Sequence, residues 1–408
     1  MFRDLMKGII NIFKIWLSEL ADVVKDQGIF IFVVLLPLGY PLLYAYIYNE
    51  EVVRDVPVAV VDENNSEMSR KFIRLMDATP DVCIAAHCNN MEEAEELIRR
   101  QEAYGILRIP KSFSEDIYRG DQTTIGTYSD MCSMLYYKAM LLAANNVALE
   151  MNKDIKVKKY IPGTTNRQDE ITRMPVKYDY VQLYNPQSGF AAFLIPPVLM
   201  LIIQQSMLLG VGMSMGRMRE RYMGFGLPFK PYYKNPLYIV LGKGLVYFLI
   251  YIVMGIYMFT FVTKSFELTQ IGTFGVFLQF LVPFVLACVF FSMVVSFFIY
   301  RREDCILLIV FLSLPLLFIS GVSWPGAAVP DYWKYVSYIV PSTFGLNGYV
   351  RISSMGASIH DVAFEYNALW LQCVVYFLIA LLFYRREILR IMNRRTSLHL
   401  IDKVIKKI

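Results

Sequence analysis

Three histidines, six cysteines and a few clusters of charge are the side chains that could do chemistry in this 408-residue sequence. His87 sits next to Cys88 and near Cys83, but two thiols and one imidazole at a strand end are a thin basis for zinc. His360 and His399 have no partner at metal-ligand spacing, so no metal site is expected. Cys83, Cys88 and Cys132 share one region and leave room for one disulfide with a thiol over, whereas Cys288, Cys305 and Cys373 read as packing residues. There is no G-x-S-x-G element. The nearest approach to a phosphate-binding G-x-x-x-x-G-K-[ST] loop is Gly242-Lys243-Gly244, which lacks the hydroxyl residue and has Leu237 in place of the first glycine. The chain is therefore not expected to bind or hydrolyse ATP by itself. His360, Asp361 and Glu365 lie close together and read as a solvated loop rather than a catalytic cluster.

The remaining chemistry is recognition by fixed charge. Arg217, Arg219, Glu220 and Arg221 follow directly on a long apolar run. Three guanidinium groups and one carboxylate suit a polar docking groove on a protein partner. They suit anionic lipid headgroups as well, and both readings stand on residues alone. Arg301, Arg302, Glu303 and Asp304 form a second such turn. Gln204 and Gln205 are the most polar side chains in the middle of an apolar run, fit either for hydrogen bonds between helices or for lining a substrate path.

These residues need a membrane to position them. Hydrophobic residues make up 56% of the chain and charged residues only 18%, and the net charge of +5 does not suggest nucleic acid. Six stretches are long enough to cross about 30 Å of hydrocarbon. They are Gln27 to Asn49, Val181 to Gly216 with its start trimmed, Gly244 to Thr263, Leu268 to Tyr300, Cys305 to Trp324, and Tyr366 to Tyr384. Trimmed in this way, the span interiors carry no titratable side chain, which argues against a carrier driven by protons or sodium. The amino-terminal segment, the Arg217–Lys243 loop, the Arg301–Asp304 turn and the tail together hold 20 Lys and Arg against 9 acids, so they are assigned to the cytoplasm with both termini. Residues 1–26 carry Phe2, Leu5, Met6, Ile9, Phe13, Trp16, Leu17, Leu20 and Val24 on one helical face, which reads as an interfacial amphipathic helix and not a signal peptide.

Residues 50–187 interrupt the membrane pattern with an inserted extracytoplasmic α/β domain. Strands are expected at 56–62, 82–86, 103–109 and 123–129 and helices at 66–78, 91–101 and 133–158, in a mostly parallel sheet. Asn90 with Glu93, and Ser112 with Glu115, read as capping boxes, and Gly120 as a left-handed helix end. Residues 188–384 hold the other five spans, and 385–408 form a basic tail. Within that part, residues 322–350 contain Pro325, Pro330 and Pro341, which break any continuous helix, together with Trp324, Tyr332, Trp333, Tyr335 and Tyr338. This is expected to be a re-entrant segment or a surface loop. As a re-entrant segment, Trp324, Pro325, Pro330, Pro341 and Thr343 would form an external gate.

Taken in order, these features resemble a type-2 ABC transporter permease of the drug- and antibiotic-export branch, and the resemblance covers nearly the whole chain. PVAVVDENNSEMSR (57–70), EAYGILRIPKSFSEDIYRG (102–120), YNPQSGFAAFLIPPVLMLIIQQ (184–205), RER (219–221) with Gly224 and LGKG (241–244), and SGVSWPGAAVP with VPSTFGLNGYVRISSMGAS (340–358) carry it. Tyr222 and Phe225 depart from the family's loop, as does Ser18-Glu19 from its usual Lys-Glu. The resemblance implies a permease subunit that exports a hydrophobic or amphipathic substrate. A separate ABC ATPase would hold the ATP and magnesium and touch Arg217, Arg219, Glu220, Arg221, Gly224 and Lys243. It also implies a bacterial inner-membrane location, pairing with a second copy or a paralogue, and a periplasmic adaptor where the host has two membranes. A rival reading is a membrane receptor with a sensing ectodomain, although the short tail leaves little room for an output domain. A membrane enzyme is the other rival, and it lacks a titratable cluster.

Overall fold

The computed structural model describes residues 2–48, 52–131, 134–160, 183–185, 189–321, 324 and 326–405. The sequence leads one to expect a poorly structured, polar return around 161–175; it lies outside these residues, as do Cys132 and Pro325. The chain divides into two compact units, Met1–Glu51 with Gln182–Ile408, and Val52–Val181.

The smaller unit is a four-stranded sheet in the order β2-β1-β3-β4, built from β1 (Val56–Asp62), β2 (Val82–Cys88), β3 (Gly105–Ile109) and β4 (Gly126–Ser129). β1 pairs in parallel with β2 and β3, and β4 runs antiparallel to β3. β1 is apolar almost throughout because both of its faces are covered, as parallel strands require. Val56, Val58 and Val60 pack with Phe72 and Met76 of α3 (Glu67–Asp77) and with Met140 and Val147 of α6 (Met134–Tyr160). Ala59 and Val61 face Ala94 of α4 (Met91–Arg99). Asn90 caps α4 as its sequence suggests, its side chain accepting from the Glu93 amide at 2.8 Å. Ser66 and Ser69 form a reciprocal capping box on α3. Ser112 makes no side-chain cap on α5 (Phe113–Arg119), because its backbone is already helical and its hydroxyl does not face the first turn. Gly120 ends α5 at φ 88°, a left-handed conformation open to glycine at little cost. Cys83 and Cys88 are free thiols.

The larger unit is helical. An amphipathic helix, α1 (Phe2–Lys25), leads into α2 (Gln27–Ile47), and α7 (Phe190–Arg221), α8 (Pro236–Ser265), α9 (Phe274–Ser296), α10 (Arg302–Ile319), α11 (Asp331–Ser337), α12 (Pro341–Met355) and α13 (Ala363–Ile405) follow. Among the described residues five helices are long and apolar enough to cross a membrane: α2, α7, α8, α9 and the Ala363–Arg394 part of α13. α10 differs. Its first turn is Arg302, Glu303 and Asp304, and the apolar remainder rises only about 22 Å at 1.5 Å per residue. α7 forms the centre of the unit, with Ile195, Leu199, Ile203 and Met207 fully enclosed. Close approach depends on small residues: a Cβ at Gly345 or Gly348 of α12 would fall 2.2 or 2.3 Å from Phe284 or Phe280 of α9.

Two sequence expectations change here. Helices do not stop where charge begins. α7 carries Arg217, Arg219 and Arg221 in its last turns, and α13 runs past Tyr384 to Ile405, because Arg, Lys, Glu and Leu are good helix formers. In addition α8 starts at Pro236, not Gly244, which puts Lys243 inside a candidate span.

Candidate coupling and pathway sites

Charged residues of α1, α7, α8 and α10 converge at one end of the helical bundle, and α1 organises them. Part of its apolar face is uncovered, with Ile9, Phe13 and Val24 each more than half exposed, while Trp16 and Leu20 pack against the bundle core. The helix buries a different stripe, Gly8, Ile15, Glu19 and Val23. On its polar side Asp22 and the following Asp26 meet two arginines. Arg217 donates to the Asp22 carbonyl at 3.0 Å and lies 3.4 Å from the Asp26 carboxylate. Arg302 donates to that same Asp26 oxygen at 3.1 Å, and its Nε lies 3.1 Å from Glu220. The other Asp26 oxygen caps α2 by accepting from the Ile29 amide at 3.2 Å. One carboxylate thus ends α1, starts α2 and aligns the last turn of α7 with the first turn of α10.

Arg219 and Lys243 point inward. Arg219 is 7% exposed, donates to the Ile299 and Phe297 carbonyls at 2.6 and 2.9 Å, and lies 4.6 Å from the centre of the Tyr300 ring. Lys243 pairs with Glu19 at 3.1 Å, where the two side chains are 4% and 1% exposed. Neither can present its charge to another protein in this arrangement. Gly224 has φ +87° with open space around it, and its amide donates to the Arg219 carbonyl at 2.7 Å, which turns the chain out of α7. Past the turn, the Gly226 amide donates to Glu387 of α13 at 2.9 Å. Arg394 lies 5.2 Å from the Phe225 ring centre, so the loop is held against α13. Tyr233 closes the loop underneath, and burial pushes its hydroxyl up from its ordinary pKa.

Arg217, Glu220, Arg221 and Arg302 line an open cleft of about 510 Å³. A neighbouring cleft of about 420 Å³ runs between α1, through Asp22 and Lys25, and the post-α7 loop, through Arg221, Tyr222 and Lys230. Arg221 belongs to both and is exposed, 5.9 Å from the Tyr222 ring centre. Of the second charged turn, Arg302 joins the network. Asp304 instead accepts from the Arg301 amide at 2.9 Å and caps α10.

The pathway candidates separate. Gln204 is 1% exposed, and its Oε1 accepts the Ser342 amide in the first turn of α12 at 2.5 Å. It therefore caps another helix from within the core. Gln205 is about 100° further round α7 and only half-buried. Of the gate candidates, Trp324 is 56% exposed and Pro330 exposed, whereas Pro341 and Thr343 are buried in the first turn of α12. Thr343 donates to the Ser337 carbonyl at 2.7 Å and Gln372 to the Tyr338 carbonyl at 2.7 Å, which fastens α11 to α12 and α13. The loop at 358–365 is ordered rather than merely solvated. Glu365 pairs with Arg351 at 3.0 Å. Hydrogen bonds from the Ser358 hydroxyl and amide hold the Asp361 carboxyl below its usual range.

Glu19, Asp22, Asp26 and Glu387 are the functional candidates that sequence reasoning passed over. The first three had a signal: spaced three and four apart, they fall on one side of α1.

The family model described as ABC-2 family transporter protein matches residues 28–382. The chain belongs to the ABC-2 transporter family. It is a multi-pass membrane protein and the membrane component of an ABC transporter, not a catalyst itself, and membership implies an ABC ATPase partner in general. No curated protein gives a significant match to the chain. For an ABC-2 permease, the charged end is the part of the helical unit best equipped to meet a hydrophilic partner. Arg217 and Arg302 are held by carboxylates, and its clefts are open.

Proposed function

We propose that the chain is the permease subunit of an ATP-driven exporter that moves a hydrophobic or amphipathic substrate out of the cytoplasm or the inner leaflet. The observation that carries this reading is the cleft pair beside α1 and α7, placed in a chain of ABC-2 type. In this reading the charged end faces the cytoplasm, consistent with its Lys and Arg excess, and the smaller unit lies outside, in or beyond a bacterial inner membrane. α10 is the sixth span, and the domain limits are those drawn from the sequence. Two copies, or one copy and a paralogue, enclose the path. ATP and magnesium reside on the partner ATPase. A periplasmic adaptor would engage the smaller unit in a host with two membranes, and anionic lipid would meet the exposed face of α1.

The docking contacts follow from exposure. Arg221, Lys230 and Lys25 face solvent in the clefts, and Arg217 and Arg302 form their floor. Arg219, Gly224 and Lys243 contribute through the internal ties that shape the loop. Of the two glutamines only the half-buried Gln205 stays a candidate for the pathway wall, Gln204 being a core cap of α12, and Trp324, Pro330, Pro341 and Thr343 belong to the external closure.

The test is purification of the tagged chain from its host in mild detergent, with mass spectrometry and an ATPase assay on the wild type and on Arg221→Glu/Lys230→Glu. Arg221 is a better position than Glu220, because reversing Glu220 would also release Arg302. The reading expects an ATPase subunit to co-purify with the wild type and to be lost from the variant while the chain stays folded. A folded chain that emerges alone, with the same lipids in both forms, would refute it.

A further inference from the structure

The ion pair between α1 and α8 is the part of the charged end to which docking gives no direct role. One Glu19 oxygen lies 3.1 Å from the Lys243 ammonium. The other accepts from Ser214 of α7 at 2.7 Å and from Tyr247 of α8 at 3.0 Å. A single carboxylate thus joins three helices in a place closed to water. Around it α1 and α8 are in close contact. A Cβ at Gly242 would lie 2.8 Å from Ile15 and 3.0 Å from the Ile12 carbonyl, and one at Gly8 would lie 2.9 Å from the Tyr238 hydroxyl.

A buried ion pair adds little net stability, because apolar residues of similar volume do as well or better. Its best-attested use is to select one arrangement among several. The close contacts at Gly242 and Gly8 already favour one register of α1 on α8. The carboxylate, with partners on two different helices, raises the cost of leaving it. Any slide leaves a charge or a hydroxyl unpaired at low dielectric.

We infer that Glu19 and Lys243 are positioning residues that lock α1 in register on α8, so that a push at the charged end reaches the bundle as one rigid movement of both helices. The purpose rests on the proposed transport function, but the register lock does not.

Glu19→Gln, Lys243→Met, the double variant and the exchanged pair Glu19→Lys/Lys243→Glu separate positioning from stability. Each is made in the full chain, with Cys83→Ser and paired spin labels at the exposed positions Met6 and Leu249, and reconstituted in lipid nanodiscs with and without the ATPase subunit. Either single variant should lower the melting temperature by leaving a buried charge unpaired. The double variant should melt close to the wild type and yet show a broadened label-to-label distance, with the ATPase rate of the complex down about tenfold. The exchanged pair should narrow the distance again. A double variant with wild-type melting and a wild-type distance distribution would overturn the inference and leave the pair a structural feature only. If no ATPase associates, the transport reading fails, while the distance measurement still decides the register.

Discussion

Asp26 offers the most direct check on how the charged end is built, because its two carboxylate oxygens do separable work. Oδ1 caps α2 through the Ile29 amide, and Oδ2 meets Arg302 at 3.1 Å and Arg217 at 3.4 Å. Asp26→Asn keeps the cap, since Asn caps as well as Asp, but removes the charge. Neither arginine is then stranded. Arg217 keeps the Asp22 carbonyl and Arg302 keeps Glu220. The side chains are 10% exposed for Asp26, 19% for Arg217 and 34% for Arg302, so this is neither a surface pair nor a sealed one. A loss of about 1–2 kcal/mol follows, above the surface median of about 0–1 and below the 3–5 of a sealed pair. Asp26→Ala removes the cap too and costs about 1 kcal/mol more. The two steps also differ in salt dependence. Raising the salt to about 1 M shortens the screening length to about 3 Å and should shrink the step from wild type to Asn but not the step from Asn to Ala. The measurement is denaturant unfolding of the three proteins in one detergent, at low and high salt. Equal losses for Asn and Ala, or a salt-sensitive step between them, would refute this division of labour.

Four other predictions use different parts of the chain. Gly345→Ala forces a Cβ to within 2.2 Å of Phe284 and should cost about 1–3 kcal/mol, whereas Gly275→Ala meets open space and should leave melting unchanged or raised. Gln204→Leu leaves the buried Ser342 amide without its acceptor and should lower stability by about 1–3 kcal/mol, while Gln205→Leu should be near neutral; thermal melts of the pair decide it. Burial, with Asp55 and Asp77 nearby, pushes the Cys83 thiol up, so iodoacetamide should alkylate it more slowly at pH 8 than a cysteine in an unfolded peptide, with the gap closing as pH rises through the folded value. The Ser358 hydrogen bonds hold the Asp361 carboxyl low. The stability they add is present above its unfolded pKa and lost as pH falls through the folded one, so exchange of the Ser358 amide, corrected for intrinsic rate, should speed up only in acid.

The sequence was most legible where one physical requirement dominates. Apolar runs placed α2 closely and located α7 and α9 with their ends shifted, α7 starting at Phe190 rather than Val181 and α9 at Phe274 rather than Leu268, because a stretch that cannot bind water must close its own hydrogen bonds. β1 could be read as a buried strand because it is apolar almost throughout, and Asn90 and Gly120 marked helix ends by chemistry that few residues supply. Boundaries drawn at the first charge were less sound. Charge reports where the chain leaves an apolar environment, whereas helix ends depend on propensity and capping. α7 therefore carries its arginines on helix, and α8 begins at Pro236 with Asn235 accepting from the Leu237 amide at 2.9 Å. Lys243 follows the same rule: a lysine whose partner arrives from a remote part of the chain can sit inside a span rather than end it. Ser112 shows the opposite limit: a capping residue in the right place does not cap if its own backbone is helical.

α1 draws these points together. Its apolar periodicity is real, yet only part of the apolar face is covered and the buried stripe contains Glu19. Acidic residues at 19, 22 and 26 pair with Lys243, Arg217 and Arg302. One flank of this amphipathic helix is therefore an interior contact, while Ile9, Phe13 and Val24 stay exposed. That division matters for recognition. Arg217 and Arg302 are already oriented by carboxylates before any partner arrives, so docking would not have to immobilise them, and each flexible side chain spared saves about 0.5–1.5 kcal/mol of ordering. Arg221 and Lys230 lie exposed at the rim, where they would steer a negatively charged partner into the clefts. A fixed floor with an exposed charged rim is what the proposed docking would use.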